Sequence, residues 1–187
     1  KARGTRIVGV GASAGGLEPL EQFISGVPAA SGLAYVVVQH MDPNHKTLLG
    51  ALLQRATQMP VHEAAEGQRI EAGSVYVIPP DAELTVHAGA LHLAKPAEPR
   101  GLRLPIDVML NSLARELGDR AIGVVLSGTG SDGTLGSQAI KRAAGVTFAQ
   151  DAVGDATHAT DTVAGLRASS QEIRQAVAMI TTVASQT

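Results

Sequence analysis

Three apolar runs in this chain each end on a glycine-rich or reactive tip. Residues 6–10 lead into Gly11-Ala12-Ser13-Ala14-Gly15-Gly16. Ala34–Gln39 ends on His40. Ala121–Leu126 leads into Ser127-Gly128-Thr129-Gly130-Ser131-Asp132-Gly133. Ala34–Gln39 is almost unbroken in its apolar character, as a strand buried on both faces must be. Helical spacing follows each run. Leu17, Leu20 and Ile24 share one face, and Leu48, Leu49, Leu52 and Leu53 another, on a helix expected over 44–55 with Asn44 as its cap. A helix is expected over 135–144, ended by Gly145 and followed by a strand over 146–150. This alternation predicts an α/β fold: a doubly wound, mostly parallel sheet with helices on both faces.

The middle of the chain has a different texture. Residues 74–78 read as a strand stopped by Pro79-Pro80. Glu83–His87 and residues 90–93 alternate apolar and polar side chains around Ala88-Gly89, the signature of an antiparallel hairpin, either inserted or at an edge. A Pro-rich loop over 95–103 precedes a helix at Pro105–Leu117, with Ile106, Met109, Leu110, Leu113 and Leu117 on one side. Residues 171–183 read as a last amphipathic helix. With 187 residues, 44% of them hydrophobic, the expectation is one domain over 1–187 with a substantial core. The first strand follows only five residues, as in a domain taken from a longer protein.

Composition narrows the chemistry. There is no cysteine, so thiolate catalysis, disulfides and Cys-ligated zinc are excluded, and a reducing, cytoplasmic setting is expected. A net charge of −2 with no basic stretch gives nucleic acid no electrostatic footing. No apolar run approaches the ~20 residues of a membrane-spanning helix, so no membrane insertion is expected.

In an open parallel sheet, ligands bind in the crevice outside the carboxyl ends of the strands. The three tips would bring Ser13, His40 and Asp132 there, the composition of a hydrolase triad. Gly11-Ala12-Ser13-Ala14-Gly15 fits G-x-S-x-G, in which small neighbours let a serine sit exposed on a tight strand-to-helix turn. The same stretch, from Gly9 to Ala14, also fits the dinucleotide fingerprint G-x-G-x-x-A, and a plain structural turn is a third reading. The fingerprint needs an acid at the end of the second strand, whereas this one ends in Gln39-His40. His40 is the candidate base. The ordinary alternative is a strand-end loop histidine, and a third reading is a metal ligand with Asp42 and His45, although Pro43 interrupts any standard zinc spacing. Asp132 is the candidate acid, with helix capping by Ser131 or Asp132 as the ordinary alternative. Asp107 and Asp42 are its rivals. Asp107 falls in the first turn of a helix, where an acidic residue is favoured in any case.

These residues resemble the catalytic domain of the CheB-type protein-glutamate methylesterases of bacterial chemotaxis. The resemblance is carried, in family order, by Val8 to Gly16, Val38-Gln39-His40-Met41, Val75-Tyr76-Val77-Ile78-Pro79-Pro80, Arg103-Leu104-Pro105-Ile106-Asp107 and Leu126 to Gly133. It implies Ser13 as nucleophile, His40 as base and Asp132 as its orienting acid. It also implies hydrolysis of glutamate γ-methyl esters on the cytoplasmic helices of methylated chemoreceptors, releasing methanol, with deamidation of receptor glutamines in many members. Backbone N–H groups of Ala14 and of the Thr129-Gly130 turn are the expected oxyanion donors. No metal or organic cofactor is required. Gly-Ala-Ser-Ala-Gly-Gly together with residues 100–107 looks most like members fused to a CheR-type methyltransferase. The departure lies over 152–160, where the family's Gly-Met-Pro element is missing, which points to an altered substrate wall. The alternatives are a non-catalytic receptor- or nucleotide-binding module on the same fold, and a metallohydrolase using His40, Asp42 and His45.

Overall fold

The computed structural model describes residues 5–13, 16–40, 48–99, 101–126, 131–150 and 161–185, with 161–170 described as helix backbone. Eight strands and five helices lie in these residues. The strands are β1 (Ile7–Ala12), β2 (Ala34–Gln39), β3 (Val61–Glu63), β4 (Val75–Val77), β5 (Glu83–His87), β6 (Ala90–Ala94), β7 (Ala121–Leu126) and β8 (Val146–Ala149). The helices are α1 (Leu17–Gly26), α2 (Leu49–Ala56), α3 (Pro105–Leu117), α4 (Thr134–Arg142) and α5 (Asp161–Ser185).

Six strands form one parallel sheet in the order β3-β4-β2-β1-β7-β8. β1 lies between β2 and β7, so the chain builds outward on one side of β1 and then returns to build on the other. That is the doubly wound arrangement, and it opens a crevice at the carboxyl end of β1. β5 and β6 form a separate antiparallel pair rather than an edge of the main sheet. Their turn uses left-handed backbone at Ala88 and Gly89, as a two-residue hairpin requires. The pair is tied to α3 by Val86 N–H donating to Ser112 Oγ at 2.9 Å.

Strand alternation divides the core in two. Val8, Val10, Ala12, Tyr35 and Val37 face Leu20, Phe23 and Ile24 of α1, with α2 and the later part of α5 completing that side. Ile7, Val36 and Val38 face the opposite side, where α3, Ile140 of α4 and the hairpin residues Leu84, Val86 and Leu91 close over the sheet. Helices therefore cover both faces, so every strand of the centre must be apolar throughout.

On the α3 side, β1 offers Gly9 and Gly11 instead of side chains. A Cβ on Gly9 would lie 2.6 Å from both Leu113 Cδ1 and Met109 Sδ, and one on Gly11 would overlap Ile106. These glycines seat α3 against the sheet. Both lie within a strand paired on either side, not at a phosphate-binding turn.

The expected elements are present with shifted ends. α2 begins at Leu49, and the Asn44 cap expected for it lies outside the described residues. β3 was not anticipated, being three residues at the sheet edge. α5 runs from Asp161, ten residues before the expected start. α4 ends differently from expectation. The left-handed residue is Ala144, at φ 62°, while Gly145 permits close approach, since a Cβ there would lie 2.6 Å from the Ala121 carbonyl oxygen.

Candidate active site

Ser13 follows β1 directly, and its carbonyl accepts the Gly16 N–H at 2.8 Å in the turn into α1. His40 follows β2, held beside that turn by its own N–H, which donates to the Ala12 carbonyl at 3.1 Å. Asp132 precedes α4 on the chain leaving β7. All three line one cleft of about 350 Å³, whose wall includes Ser137, Gln138 and Lys141 of α4. Parallel register accounts for the convergence. Ala12 pairs with Gln39 on one side and with Leu126 on the other, so the three strands end level.

His40 Nε2 lies 2.8 Å from Asp132 Oδ2. The Asp132 side chain is only 7% exposed, whereas that of His40 is 37% exposed and open to the cleft. A neutral ring that donates from Nε2 to the carboxylate keeps its acceptor lone pair on Nδ1. The pair can therefore hold an imidazole ready to take a proton and stabilise the charge that results.

The Asp132 carboxylate has two further partners. Its Oδ2 accepts the Ile106 N–H at 3.0 Å and its Oδ1 accepts the Asp107 N–H at 2.8 Å. These are free N–H groups of the first turn of α3, next to Pro105, which has none to offer. Capping by Asp132 was expected for the helix that follows it. It is α3 instead that Asp132 caps, and α4 starts at Thr134 behind Gly133, an N-cap residue with no side chain to offer. Gly133 adopts φ 97°, which a side chain would strain, and this turns the chain from Asp132 into α4.

Among the described residues no hydrogen bond or ion pair joins Asp107 to His40. Asp107 Oδ1 accepts the Gly133 N–H at 3.0 Å and the Gly136 N–H at 2.6 Å, at the start of α4. Burial pushes its carboxyl above the ordinary value against the pull of the Gly136 N–H, and the nearby Asp132 charge adds to the rise. Position alone makes Asp107 a rival acid or an ordinary first-turn residue. The signal available was an acid among the apolar positions 106, 109 and 110, where only 4% of it is exposed.

The expected oxyanion donors Ala14, Thr129 and Gly130 lie outside the described residues, as do Asp42 and His45 of the metal reading and the 152–160 departure. His62 is exposed, and its ring stacks on that of Tyr76 with centroids 5.6 Å apart. His87 and His92 lie on the hairpin beside Glu116 and Glu66.

The CheB methylesterase family model matches residues 8–179. A Pseudomonas aeruginosa protein named protein-glutamate methylesterase/protein-glutamine glutaminase 2 is 39% identical over 150 residues, covering 78% of this chain and 43% of its own length. An Escherichia coli K12 protein-glutamate methylesterase/protein-glutamine glutaminase is 33% identical over 151 residues, with the same shares covered. The chain thus spans less than half the length of these curated relatives. The crystal structure of the Thermotoga maritima CheB methylesterase catalytic domain superposes with a TM-score of 0.75 at 28% identity, covering 93% of this chain and 97% of that one. With the family model matched along most of its length and relatives above 30% identity, the chain belongs to the CheB methylesterase family.

Proposed function

We propose that this chain hydrolyses γ-methyl esters of glutamate side chains on chemoreceptors, with Ser13 as nucleophile, His40 as general base and Asp132 as the acid that orients it. The observation that carries this reading is the buried Asp132 carboxylate on His40 Nε2, in a cleft that Ser13 also lines. Ser13 Oγ attacks the ester carbonyl while His40 Nδ1 takes its proton. The imidazolium, held by Asp132, returns the proton to the departing methoxide, and methanol leaves. Water, activated by His40, then cleaves the glutamyl-serine ester and restores the free serine. This reading assigns the oxyanion in both steps to the backbone N–H groups of Ala14, Thr129 and Gly130.

The same attack on a glutamine side chain would expel ammonia, so deamidation needs no additional groups. The printed names of the relatives pair the two activities. The partner in this reading is a methylated receptor helix in the cytoplasm, with a CheR-type methyltransferase, fused or associated, as the enzyme that installs the ester. Among the described residues no helix is long and apolar enough to cross a membrane. The deciding experiment is methanol release from a methylated receptor fragment, measured for the native chain and for Ser13→Ala beside a thermal melt. Release by the native chain and none by a folded Ser13→Ala protein is expected. Equal rates would remove Ser13 from the mechanism.

A further inference from the structure

We infer that Asp107 is a positioning residue for the reaction, whose buried carboxylate fixes the segment carrying Asp132 and so holds the His40–Asp132 pair in line. The inference rests on Asp132 being the working partner of His40.

The geometry is a closed exchange between two helix starts. Asp132, at the entrance to α4, caps α3 through the N–H groups of Ile106 and Asp107. Asp107, in the first turn of α3, caps α4 through the N–H groups of Gly133 and Gly136. Each carboxylate satisfies the helix that the other belongs to. Gly133 is the residue next to Asp132, so the bond from its N–H to Asp107 acts on the backbone that carries the acid.

A cap needed only for stability can be local, from a Ser, Thr, Asn or Asp at the N-cap position itself. Here that position is Gly133, with no side chain to offer, and the cap comes from a buried acid in another helix. Among the described residues no hydrogen bond of good geometry reaches Asp107 Oδ2, although the Leu135 N–H adds to the pull of Gly133 and Gly136 on the carboxyl. Burying a carboxylate with one oxygen unsatisfied is unfavourable. What the arrangement supplies that a local cap cannot is a fixed distance between the α3 and α4 starts. Asp132 sits between them, and misplacing a catalytic group by 1 Å can cost about 100-fold in rate.

The test uses the full chain and a small activated ester, which needs no receptor contacts. Asp107→Ala, Asp107→Asn, Asp132→Asn and the double variant Asp107→Ala/Asp132→Asn are compared. kcat, KM and the downfield proton NMR signal of the His40 ring N–H are measured, each beside a melt. Asp107→Ala should lower kcat about 10- to 100-fold with KM little changed, and should broaden or shift the ring N–H signal. Asp107→Asn, whose carbonyl can still accept both N–H groups, should recover most of the loss. In the Asp132→Asn background, Asp107→Ala should have little further effect on kcat, because its action runs through Asp132. Asp107→Ser takes the place of the alanine variant if that does not fold.

A lower melting point with kcat and the ring signal intact would reduce Asp107 to a structural cap and overturn the inference. So would additive losses in the double variant, or a folded Asp107→Asn as inactive as Asp132→Asn. Undiminished turnover in Asp132→Asn would instead remove the proposed triad, and this inference with it.

Discussion

Ile106 stands where a side chain on Gly11 would have to go, so the first turn of α3 rests directly on β1. The same residue donates its N–H to Asp132 at 3.0 Å. The bare surface of the central strand thereby sets the depth at which the α3 N-terminus meets the acid. Gly11→Val should lift this turn and strain the core, costing about 3 kcal/mol. It should also lower esterase kcat by more than a surface valine does. A urea melt and a small-ester assay check both. Native stability in Gly11→Val would mean that α3 does not sit on β1 in this way.

Asp132→Asn should lower kcat by about 10⁴, the loss seen when a triad acid becomes an amide. An amide has one acceptor oxygen where the carboxylate uses two, so a partner among His40, Ile106 and Asp107 must go unserved. Loss of capping adds a stability cost of about 1 kcal/mol. Turnover in the folded variant decides the matter. A drop smaller than that of Asp107→Asn would transfer the acid's role.

Asp107 predicts a particular dependence of stability on pH. Its carboxyl is raised in the folded chain, chiefly by burial. The folded state therefore holds this proton more tightly than the unfolded state does. That contribution is complete below the ordinary value of 3.8 and is lost as pH rises through the higher folded value. Asp107→Asn cannot titrate, so its melting point relative to the native chain should improve as pH rises from about 3 toward neutrality. Melts of both proteins across that range give the slope. An opposite slope would mean that the folded carboxylate is stabilised in its charged form.

Turnover of a small activated ester should be unchanged by EDTA. The proposed chemistry needs a hydroxyl, an imidazole and a carboxylate, with N–H groups for the oxyanion. Inactivation by the chelator, reversed by zinc, would favour the set His40, Asp42 and His45 and displace the serine mechanism.

Local physics made much of this molecule readable in one dimension. Ala34–Gln39, Pro105–Leu117 and Ala121–Leu126 have the expected bounds, because unbroken apolar runs and 3.6-residue spacing reflect burial directly. β3 escaped notice because Val61-His62-Glu63 is too short to show a period, and only pairing with β4 makes it a strand. The hairpin was legible from its alternation and its Ala88-Gly89 turn. Its attachment to α3 was not, since that depends on a hydrogen bond from Val86 to Ser112 across 26 residues.

The site divides along the same line. By itself the sequence determined the chemical types at the three strand tips, Ser13, His40 and Asp132, and the parallel sheet that would bring them to one end. Strand and helix periods, and the tips that interrupt them, are properties of neighbouring residues. Only the tertiary structure decided that Asp132 caps α3 rather than α4, that Asp107 returns the cap to α4, and that Gly9 and Gly11 seat a helix. Those outcomes depend on which helix starts come within hydrogen-bond reach after packing. The partners lie 25 to 29 residues apart in the chain, and no local pattern records a contact made across that distance.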